Sequence, residues 1–369
     1  MDNIITHSAD GEPALSAYLN QTGCREGLPI TGNFELTSRC NFNCPMCYIH
    51  TQHSPAALRQ RELTAEQWLS IASDARDMGM VFLLLTGGEP LVREDFPLLY
   101  ENLVKLGLMV SVNTNASLYD GAVREVFRRY PPARIHATLY GGNQKTYTAQ
   151  CGVPHFDRVM NNLRLMKEDG LQVGLNLSLT PRNAGDLELM NALARRLEMP
   201  VRAAAYMYPP VRAGGAAGIN PGRFDPEQAG QIMARWYRLR DGEALFRARV
   251  ETLSRSAAPT EGSFHCRAGR SSFWMTWDGR MLPCGTMEAE PAFPLREGFA
   301  AAWERVRKFS AAIPEPEPCR ACPHRLFCPV CPAVCACETG RFDLAPDYLC
   351  RMTDSMIQTI LNYGRETDV

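Results

Sequence analysis

The 369-residue chain lacks both long apolar runs and an excess of charge of either sign. No run approaches the roughly eighteen apolar residues of a membrane span, and the first thirty residues hold no apolar core segment, so we expect neither a transmembrane helix nor a signal peptide. The formal net charge is -1, which gives no general attraction to nucleic acid or to an anionic membrane. We therefore expect a cytoplasmic globular protein that binds neither nucleic acid nor a membrane.

Cysteine, in contrast, is abundant and unevenly placed. Three of the 14 cysteines lie between Cys40 and Cys47 and nine between Cys266 and Cys350, whereas Cys24 and Cys151 stand apart. In a cytoplasmic chain of this size, clustered Cys-x2-Cys pairs favour metal binding over disulfides. The composition thus predicts a metalloprotein of a reducing compartment, with length enough for a barrel-sized core and a smaller domain.

The segment from Cys40 to Tyr48 reads Cys-Asn-Phe-Asn-Cys-Pro-Met-Cys-Tyr. Three thiolates on one short loop can bind three irons of a cubane cluster and leave the fourth iron open. A structural zinc knuckle, closed by His50 or His53, and simple core packing of the thiols are the alternatives.

Strand-like and helix-like segments alternate between residues 33 and 208. Apolar patterning predicts strands at 34–37, 81–85, 108–112, 134–139, 172–179 and 201–207, with helices near 64–72, 98–106, 120–129, 156–167 and 186–197 and a further helix at 226–240. Six such units predict an α/β fold, a partial (β/α)6 TIM-like barrel whose site lies at the carboxyl ends of the strands. The Cys40–Tyr48 loop follows the first strand, and Thr86-Gly87-Gly88-Glu89-Pro90 follows the second.

These two segments, in this order, resemble the signature of radical S-adenosylmethionine (SAM) enzymes. The resemblance implies a four-iron cluster on Cys40, Cys44 and Cys47 that cleaves SAM, with the SAM-binding residues Met46, Gly87, Gly88, Glu89, Pro90, Asn115 and Thr138. Met46 stands where an aromatic is common, and Ala116 replaces the glycine that usually follows the position of Asn115. Asn115 and Thr138 are equally well read as turn caps.

The carboxyl-terminal cysteines resemble the SPASM extension of radical SAM peptide and protein maturases. Its pattern is matched by Cys266, Gly279, Cys284, Cys319-x2-Cys322-x5-Cys328-x2-Cys331 and Cys350, although the last internal spacing is two residues rather than three. The resemblance implies two auxiliary four-iron clusters, one on Cys319, Cys322, Cys328 and Cys350. The other would use Cys266, Cys284 and Cys331, with a fourth site that is open or filled by Cys335 or Cys337. A double zinc ribbon is the alternative.

The predicted organisation is an extension at 1–32, a barrel at 33–208, a linker or bridging region at 209–262 and a small cysteine-rich α+β domain at 263–369. Thr138-Leu139-Tyr140-Gly141 matches a branch of the family that forms peptide thioethers. Cys24 is interpreted as a packed or surface thiol and Cys151 as a buried, inert one, with a hydrogen-donor or substrate-facing role as the alternative for Cys151.

The resulting prediction is a radical SAM enzyme that forms a thioether or carbon–carbon crosslink in a ribosomally made peptide. A flavodoxin or ferredoxin would donate the electron. The first alternative is a maturase that makes formylglycine in a sulfatase; there an Asp that acts as a base directly follows the cysteine matching Cys284, whereas this chain has Gly285. Modification of tRNA or a cofactor and a non-catalytic zinc-binding interaction protein are the remaining alternatives.

Overall fold

The structure is a computed structural model, and it describes residues 12–49, 55–212, 220–255, 266–325 and 327–366. His50 and His53, either of which would close the alternative zinc knuckle, lie outside the described residues.

The described strands form one sheet of mostly parallel strands. The strands are β1 (Thr31–Glu35), β2 (Phe82–Thr86), β3 (Met109–Thr114), β4 (Arg134–Thr138), β5 (Val173–Ser178), β6 (Val201–Ala204), β7 (Ser272–Met275) and β8 (Met281–Leu282). Their order is β6-β5-β4-β3-β2-β1-β7-β8. All neighbours are parallel except the β7–β8 hairpin.

Helices connect the parallel strands and build the carboxyl-terminal part. They are α1 (Ala14–Glu26), α2 (Pro55–Arg59), α3 (Ala65–Asp77), α4 (Phe96–Lys105), α5 (Gly121–Arg129), α6 (Gln144–Cys151), α7 (Phe156–Glu168), α8 (Leu187–Leu197), α9 (Pro226–Arg255), α10 (Pro294–Glu297), α11 (Phe299–Ala312), α12 (Glu317–Arg320), α13 (Pro332–Thr339) and α14 (Asp347–Glu366). Short 3-10 helices span Pro90–Val92 and Ala184–Asp186.

Local sequence accounts for the way these elements begin and pack. Thr64 and Gln67 form a reciprocal capping box at the start of α3, which satisfies two backbone N–H groups. The buried face of α3 then places Trp68 against Phe34 of β1, with ring centroids 4.8 Å apart. Contacts of this kind join helix and sheet into one apolar core.

The predicted fold class is confirmed, since helices cover a mostly parallel sheet. Each predicted barrel strand overlaps an observed one. The helix predicted at 226–240 continues to Arg255, with a kink at Gly242. Eight of the described helices, α1, α2, α6 and α10 to α14, were not predicted from the sequence.

The cysteine-rich part begins as a continuation of the barrel sheet. Strand β7 pairs in parallel with β1 over four residues, from Thr31 opposite Ser272 to Phe34 opposite Met275. Helix α1 lies at the amino ends of these two strands, where Asn20 accepts hydrogen bonds from Thr31 and Ser271, each at 3.1 Å. The amino-terminal helix is therefore far from the carboxyl strand ends, where the candidate site lies.

Candidate active site

A cavity of about 590 Å³ opens at the carboxyl ends of the parallel strands. The Cys40–Tyr48 loop forms one wall, the segment after β2 a second, and the residues after β6 a third. Of the predicted site residues, it is lined by Cys40, Cys44, Met46, Cys47, Gly87, Gly88, Asn115 and Thr138. The fold thus brings together eight residues that are spread over about a hundred positions of the chain.

The Cys40–Tyr48 loop is held in shape by backbone hydrogen bonds. Within it, the N–H of Cys47 donates to the carbonyl of Cys44 at 3.1 Å, and the N–H of Asn43 reaches the carbonyl of Cys151 at 3.0 Å. Gly152 has a left-handed φ of 78° and lies so close to the loop that an added Cβ would be 2.9 Å from the Asn43 oxygen. The end of α6 therefore positions the loop.

Burial favours the neutral form of the loop thiols. It raises the pKa of Cys40 to about 12, and burial also raises the pKa of Cys44, with the neighbouring Cys47 as a further cause. Both thiols are consequently protonated at neutral pH, so a metal centre must displace protons as it binds. A positively charged centre would compensate for the cost of burying the thiolates.

Gly87 and Gly88 lay their backbone directly against the strand-to-loop junction after β1. A Cβ on Gly87, whose φ is 149°, would be 2.4 Å from the Thr37 oxygen, and one on Gly88 would be 2.3 Å from the Arg39 oxygen. The N–H groups of Gly88 and Glu89 donate to these two oxygens at 2.8 and 2.9 Å. A side chain at either glycine would collide with the backbone of residues 37–39. The absence of side chains thus lets the Gly87–Gly88 backbone form a cradle close to Cys40.

Glu89 lies behind the cavity wall and not on it. Its fully buried carboxylate accepts hydrogen bonds from Leu91 N at 3.1 Å, Thr114 Oγ1 at 2.8 Å and Asn115 N at 2.6 Å. Burial raises the pKa of Glu89 to about 7 in spite of these three donors. Pro90 begins the following 3-10 helix and is likewise absent from the cavity lining. The geometry of Glu89 suits a residue that holds the end of β3 in place.

Polar side chains at the ends of β3, β4 and β5 face the cavity together. Asn115 donates to Asn41 Oδ1 at 2.9 Å, and its own oxygen accepts from Ser117, so it ties the β3 end to the cysteine loop. Asn113, Asn176 and Ser178 also line the cavity, and sequence analysis missed them. A signal was available, since polar residues alternate with buried apolar ones along β3 and β5.

Four tyrosines, Tyr48, Tyr140, Tyr206 and Tyr208, line the cavity as well. Tyr206 donates its hydroxyl proton to Glu338 on α13, and the guanidinium of Arg223 lies 4.9 Å from its ring centroid. The cavity wall after β6 is thereby tied to the cysteine-rich part. Sequence analysis missed Tyr206 and Tyr208, because nothing in the strand pattern distinguishes them from core aromatics.

A second, smaller cavity of about 230 Å³ contains Cys266, Cys284 and Cys331. Burial raises the pKa of Cys331 to about 12, and the neighbouring Cys284 and Cys266 raise it further. These three thiols come from the segment before β7, the loop after β8 and the start of α13. The structure thus brings together the set that the SPASM resemblance grouped.

The other grouped set, Cys319, Cys322, Cys328 and Cys350, also lies together. Burial raises the pKa of Cys319 to about 11, with Cys328, Cys350 and Cys322 among the further causes. Of the two additional cysteines, Cys335 is buried between the two sets, whereas Cys337 donates to the Thr286 carbonyl at 2.9 Å, near Cys284. Across the described ranges, no three Cys, His, Asp or Glu side chains converge closely enough for a single metal ion.

A buried ion pair connects the barrel to the second cavity. Arg212 donates to Glu35 at the end of β1 at 2.9 Å and to the Gly285 carbonyl at 3.0 Å, and it also binds Glu288. Trp274 Nε1 donates to the same Glu35 carboxylate at 2.9 Å. Because Glu35 and Arg212 are almost inaccessible to water, each requires the other as a counter-ion.

The isolated cysteines have satisfied surroundings. Cys151 is fully buried and donates to the Tyr147 carbonyl at 3.0 Å, and Cys24 donates to Ser271 Oγ at 3.4 Å. Both arrangements fit packed thiols. The hydrogen-donor role for Cys151 stays a prediction without a contact to support it.

Comparison with known protein families matches residues 34–193 to the Radical SAM superfamily. The chain is 22% identical to an AdoMet-dependent heme synthase of Methanosarcina barkeri over 84% of this chain and 93% of the relative. It is 27% identical to a PqqA peptide cyclase of Streptomyces rochei over 81% of this chain and 83% of the relative.

Solved structures share the fold at low sequence identity. Streptococcus suis SuiB bound to precursor peptide SuiA is similar with a TM-score of 0.67 and 16% identity, over 91% of this chain and 80% of SuiB. The anSMEcpe structure with bound AdoMet and Kp18Cys peptide also gives a TM-score of 0.67, at 15% identity, over 91% of this chain and 99% of that one. No helix in the described part of the chain is long and apolar enough to cross a membrane.

Proposed function

We propose that the chain is a radical SAM enzyme, in line with the match of residues 34–193 to that superfamily, and that it cleaves SAM reductively and modifies a ribosomally made peptide by forming a thioether or carbon–carbon crosslink. The observation that carries the proposal is the shared cavity. Three cysteines of one loop and the backbone of a Gly-Gly pair line it together, at the carboxyl ends of parallel strands.

The cavity residues fit a four-iron cluster and SAM. Cys40, Cys44 and Cys47 would hold three irons, and the Gly87–Gly88 cradle would accept the amino end of SAM at close range. When bound, the cluster supplies one electron that cleaves SAM into methionine and a 5′-deoxyadenosyl radical able to abstract hydrogen from an unactivated C–H bond.

The protein's own residues then bind, orient and shield. Met46 and Thr138 line the cavity where the resemblance places contacts to SAM, and Asn115 connects that wall to the cysteine loop. Glu89 acts as a positioning residue, because its carboxylate fixes Asn115 and Thr114 from behind. Apolar and aromatic lining shields the site from solvent and dissolved reactants, which limits side reactions of the radical.

A peptide substrate is supported by the relatives that resemble this chain along most of its length. Their names state a peptide as the substrate of PqqA peptide cyclase and as the bound partner in the SuiB and anSMEcpe structures. The cavity, at about 590 Å³, is in the size range of sites that enclose a small ligand, so SAM and one side chain of a peptide could share it.

We further propose two auxiliary four-iron clusters. Cys319, Cys322, Cys328 and Cys350 would hold one, and Cys266, Cys284 and Cys331 the other. The second set has three thiols in its cavity, which leaves a position for a substrate thiolate. A cytoplasmic location and a flavodoxin or ferredoxin as electron donor belong to the same proposal.

The formylglycine alternative is disfavoured by the surroundings of residue 285. A Cβ built on Gly285 would lie 2.7 Å from the ring of Trp274, so an Asp there would displace the indole that binds Glu35. The loop after Cys284 is shaped for glycine, and a carboxylate base at this position does not fit.

A tetrapyrrole is the second candidate substrate. The comparison with the AdoMet-dependent heme synthase covers 93% of that protein, and a separate match is an Fe-coproporphyrin III synthase of the same organism. With a tetrapyrrole as the substrate, the cleavage of SAM would be the same, and only the molecule from which the radical abstracts hydrogen would differ.

The test measures iron, sulfide and 5′-deoxyadenosine in anaerobically reconstituted protein. Wild type should hold about twelve irons and a Cys40→Ala, Cys44→Ala, Cys47→Ala variant about eight, with 5′-deoxyadenosine formed by wild type alone. Zinc in place of iron in wild type would overturn the enzyme proposal.

Substrate class is tested in a parallel assay. A panel of synthetic cysteine-containing peptides and Fe-coproporphyrin III are each incubated with the enzyme and SAM. A peptide product that has lost two hydrogen atoms supports crosslinking. Turnover of the porphyrin with none of the peptide supports the tetrapyrrole candidate and overturns the peptide proposal.

A further inference from the structure

A pair of tyrosines in the larger cavity lies near the chain that lines the smaller one, since Arg212, four residues after Tyr208, donates to the carbonyl of Gly285, next to Cys284. Tyr48 directly follows Cys47, and Tyr208 lines the larger cavity beside it, with the two ring centroids 6.2 Å apart. Burial raises the pKa of Tyr208, and the next two causes are the adjacent thiols of Cys331 and Cys284 from the smaller cavity. The pair therefore begins beside Cys47 and lies close to the segment that contacts the loop of Cys284.

The pair is held rigidly by contacts on its backbone. Buried Asn220 donates from one amide nitrogen to the carbonyls of Tyr208 at 2.7 Å and Met46 at 2.9 Å, and the N–H of Val211 donates to the carbonyl of Tyr48 at 2.7 Å. On its other side, Tyr208 packs against Tyr206 with ring centroids 5.0 Å apart. These bonds fix the segment after β6 onto the cysteine loop, so the spacing of the two rings is built into the fold.

We propose that Tyr48 and Tyr208 form an aromatic bridge that carries single electrons between the centre on Cys40, Cys44 and Cys47 and the centre on Cys266, Cys284 and Cys331. Each transfer oxidises one centre and reduces the other by one electron, and no bond or proton moves. The inference rests on the proposed function, since it requires both centres.

The bridge would serve the crosslinking reaction by balancing its electrons. One hydrogen atom leaves the substrate carbon for the 5′-deoxyadenosyl radical, and a second group of the substrate loses a proton as it bonds to that carbon. One electron is left over, and the centre beside Tyr208 is placed to accept it. The bridge then returns the electron for the next cleavage of SAM, which reduces the demand on the external donor.

The experiment uses SAM alone as the probe, so no substrate is needed. Anaerobic holoenzyme is fully reduced with dithionite, desalted and mixed with SAM, while 5′-deoxyadenosine and the electron paramagnetic resonance of the reduced clusters are followed. Wild type should show a fast phase of about one equivalent and a slower phase fed by the auxiliary centre, whose signal decays in step.

Two variants break the bridge from opposite ends and one preserves it. In Tyr208→Leu and Tyr48→Leu the rate of the second phase relative to the first should fall about tenfold or more. Tyr208→Phe keeps the ring and should keep the ratio. Tyr208→Leu could lose iron from the auxiliary centre, and its slower second phase would then have a trivial cause. In that case the ratio measured for Tyr48→Leu tests the bridge, because this variant leaves the residues beside the auxiliary thiols intact.

The outcomes separate the bridge from the function on which it rests. The bridge is overturned if either Leu variant keeps its full iron content and still shows the second phase at the wild-type rate. It is also overturned if, in the wild-type enzyme, the paramagnetic signal of the auxiliary centre persists after the first phase. A wild type that holds no iron or forms no 5′-deoxyadenosine overturns the proposed function instead.

Discussion

At the scale of single residues, Gly88 has very little tolerance for a side chain in the proposed SAM cradle. A Cβ there would lie 2.3 Å from the Arg39 oxygen and 2.9 Å from the Ser38 oxygen, both backbone atoms that cannot rotate away. We expect Gly88→Ala to cost about 1–3 kcal/mol in the free energy of unfolding, because the loop that carries Cys40 must shift. Urea unfolding and equilibrium dialysis with SAM measure both effects.

Gly185 provides the matched control for that substitution. No atom lies within 4 Å of a Cβ added there, so Gly185→Ala should leave stability and SAM binding at the wild-type level. Wild-type SAM affinity in Gly88→Ala would contradict the close approach on which the cradle depends.

Glu89 should make the stability of the metal-free protein depend on pH. Burial raises its pKa from 4.5 to about 7, so the folded state binds the proton more tightly than the unfolded state does. The stabilisation is complete below pH 4.5 and is lost as the pH rises through about 7, amounting to about 3 kcal/mol. Urea unfolding at about pH 5 and about pH 8 should show this loss in wild type and not in Glu89→Gln.

The control for this titration is Glu125→Gln, which changes an exposed carboxylate on α5. It should keep the wild-type difference between the two pH values. If Glu89→Gln showed the same difference as wild type, another buried group would be responsible for it.

At the scale of elements, the pairing of α9 with α14 depends on a glycine. A Cβ on Gly230 would lie 2.4 Å from the Met352 oxygen and 2.6 Å from the Met356 nitrogen, so Gly230→Ala must push the two helices apart. Since α14 carries Cys350, we expect a loss of about 1–3 kcal/mol in stability together with loss of iron from the proposed centre on Cys319, Cys322, Cys328 and Cys350. Iron content and urea midpoints measure the two effects.

Gln228→Ala serves as the control, since this side chain is exposed on the same helix. Its effect on stability should stay within about 0.5 kcal/mol. Full iron content in a stable Gly230→Ala protein would show that α14 can move without disturbing the cysteine site.

How far sequence predicts these elements depends on the kind of surface each one buries. Strand β2 follows from its apolar run, because a strand covered on both faces needs apolar residues throughout. Helix α1 has no apolar stripe, since it buries Asn20 and Gly23 and leaves Leu15 and Tyr18 exposed. Helix α14 does repeat apolar residues at helical spacing, from Leu349 through Met352, Met356 and Ile360, and could have been predicted.

The residues of the candidate site likewise fall into those that a local sequence pattern predicts and those that only the fold brings to the site. The Cys40–Tyr48 loop and the Gly-Gly pair are local patterns and were visible in the sequence. The roles of Tyr208 and Asn220 arise only when a segment folds back onto the Cys40–Tyr48 loop from about 160 to 175 positions away, through contacts that no spacing rule encodes.

At the scale of the whole molecule, the continuous sheet makes the barrel and the cysteine-rich part depend on one another. Phe273 of β7 is fully buried, with ring centroids 6.3 Å from Phe34 of β1, 5.2 Å from Phe299 and 6.1 Å from Trp303 of α11. One side chain thus belongs to the cores of both parts. The boundary proposed near residue 263 therefore separates two parts of the sequence that share a single apolar core.

Phe273→Ala tests this dependence. Its cavity should cost about 3–5 kcal/mol. If the two parts unfold together, hydrogen–deuterium exchange should show lower protection in β1 to β3 as well as in α11, whereas Leu295→Ala, at a side chain that is 43% exposed, should leave both regions unchanged. Loss of protection confined to residues 266–366 would mean that the cysteine-rich part unfolds alone, and the shared sheet would then be a contact between two independent units.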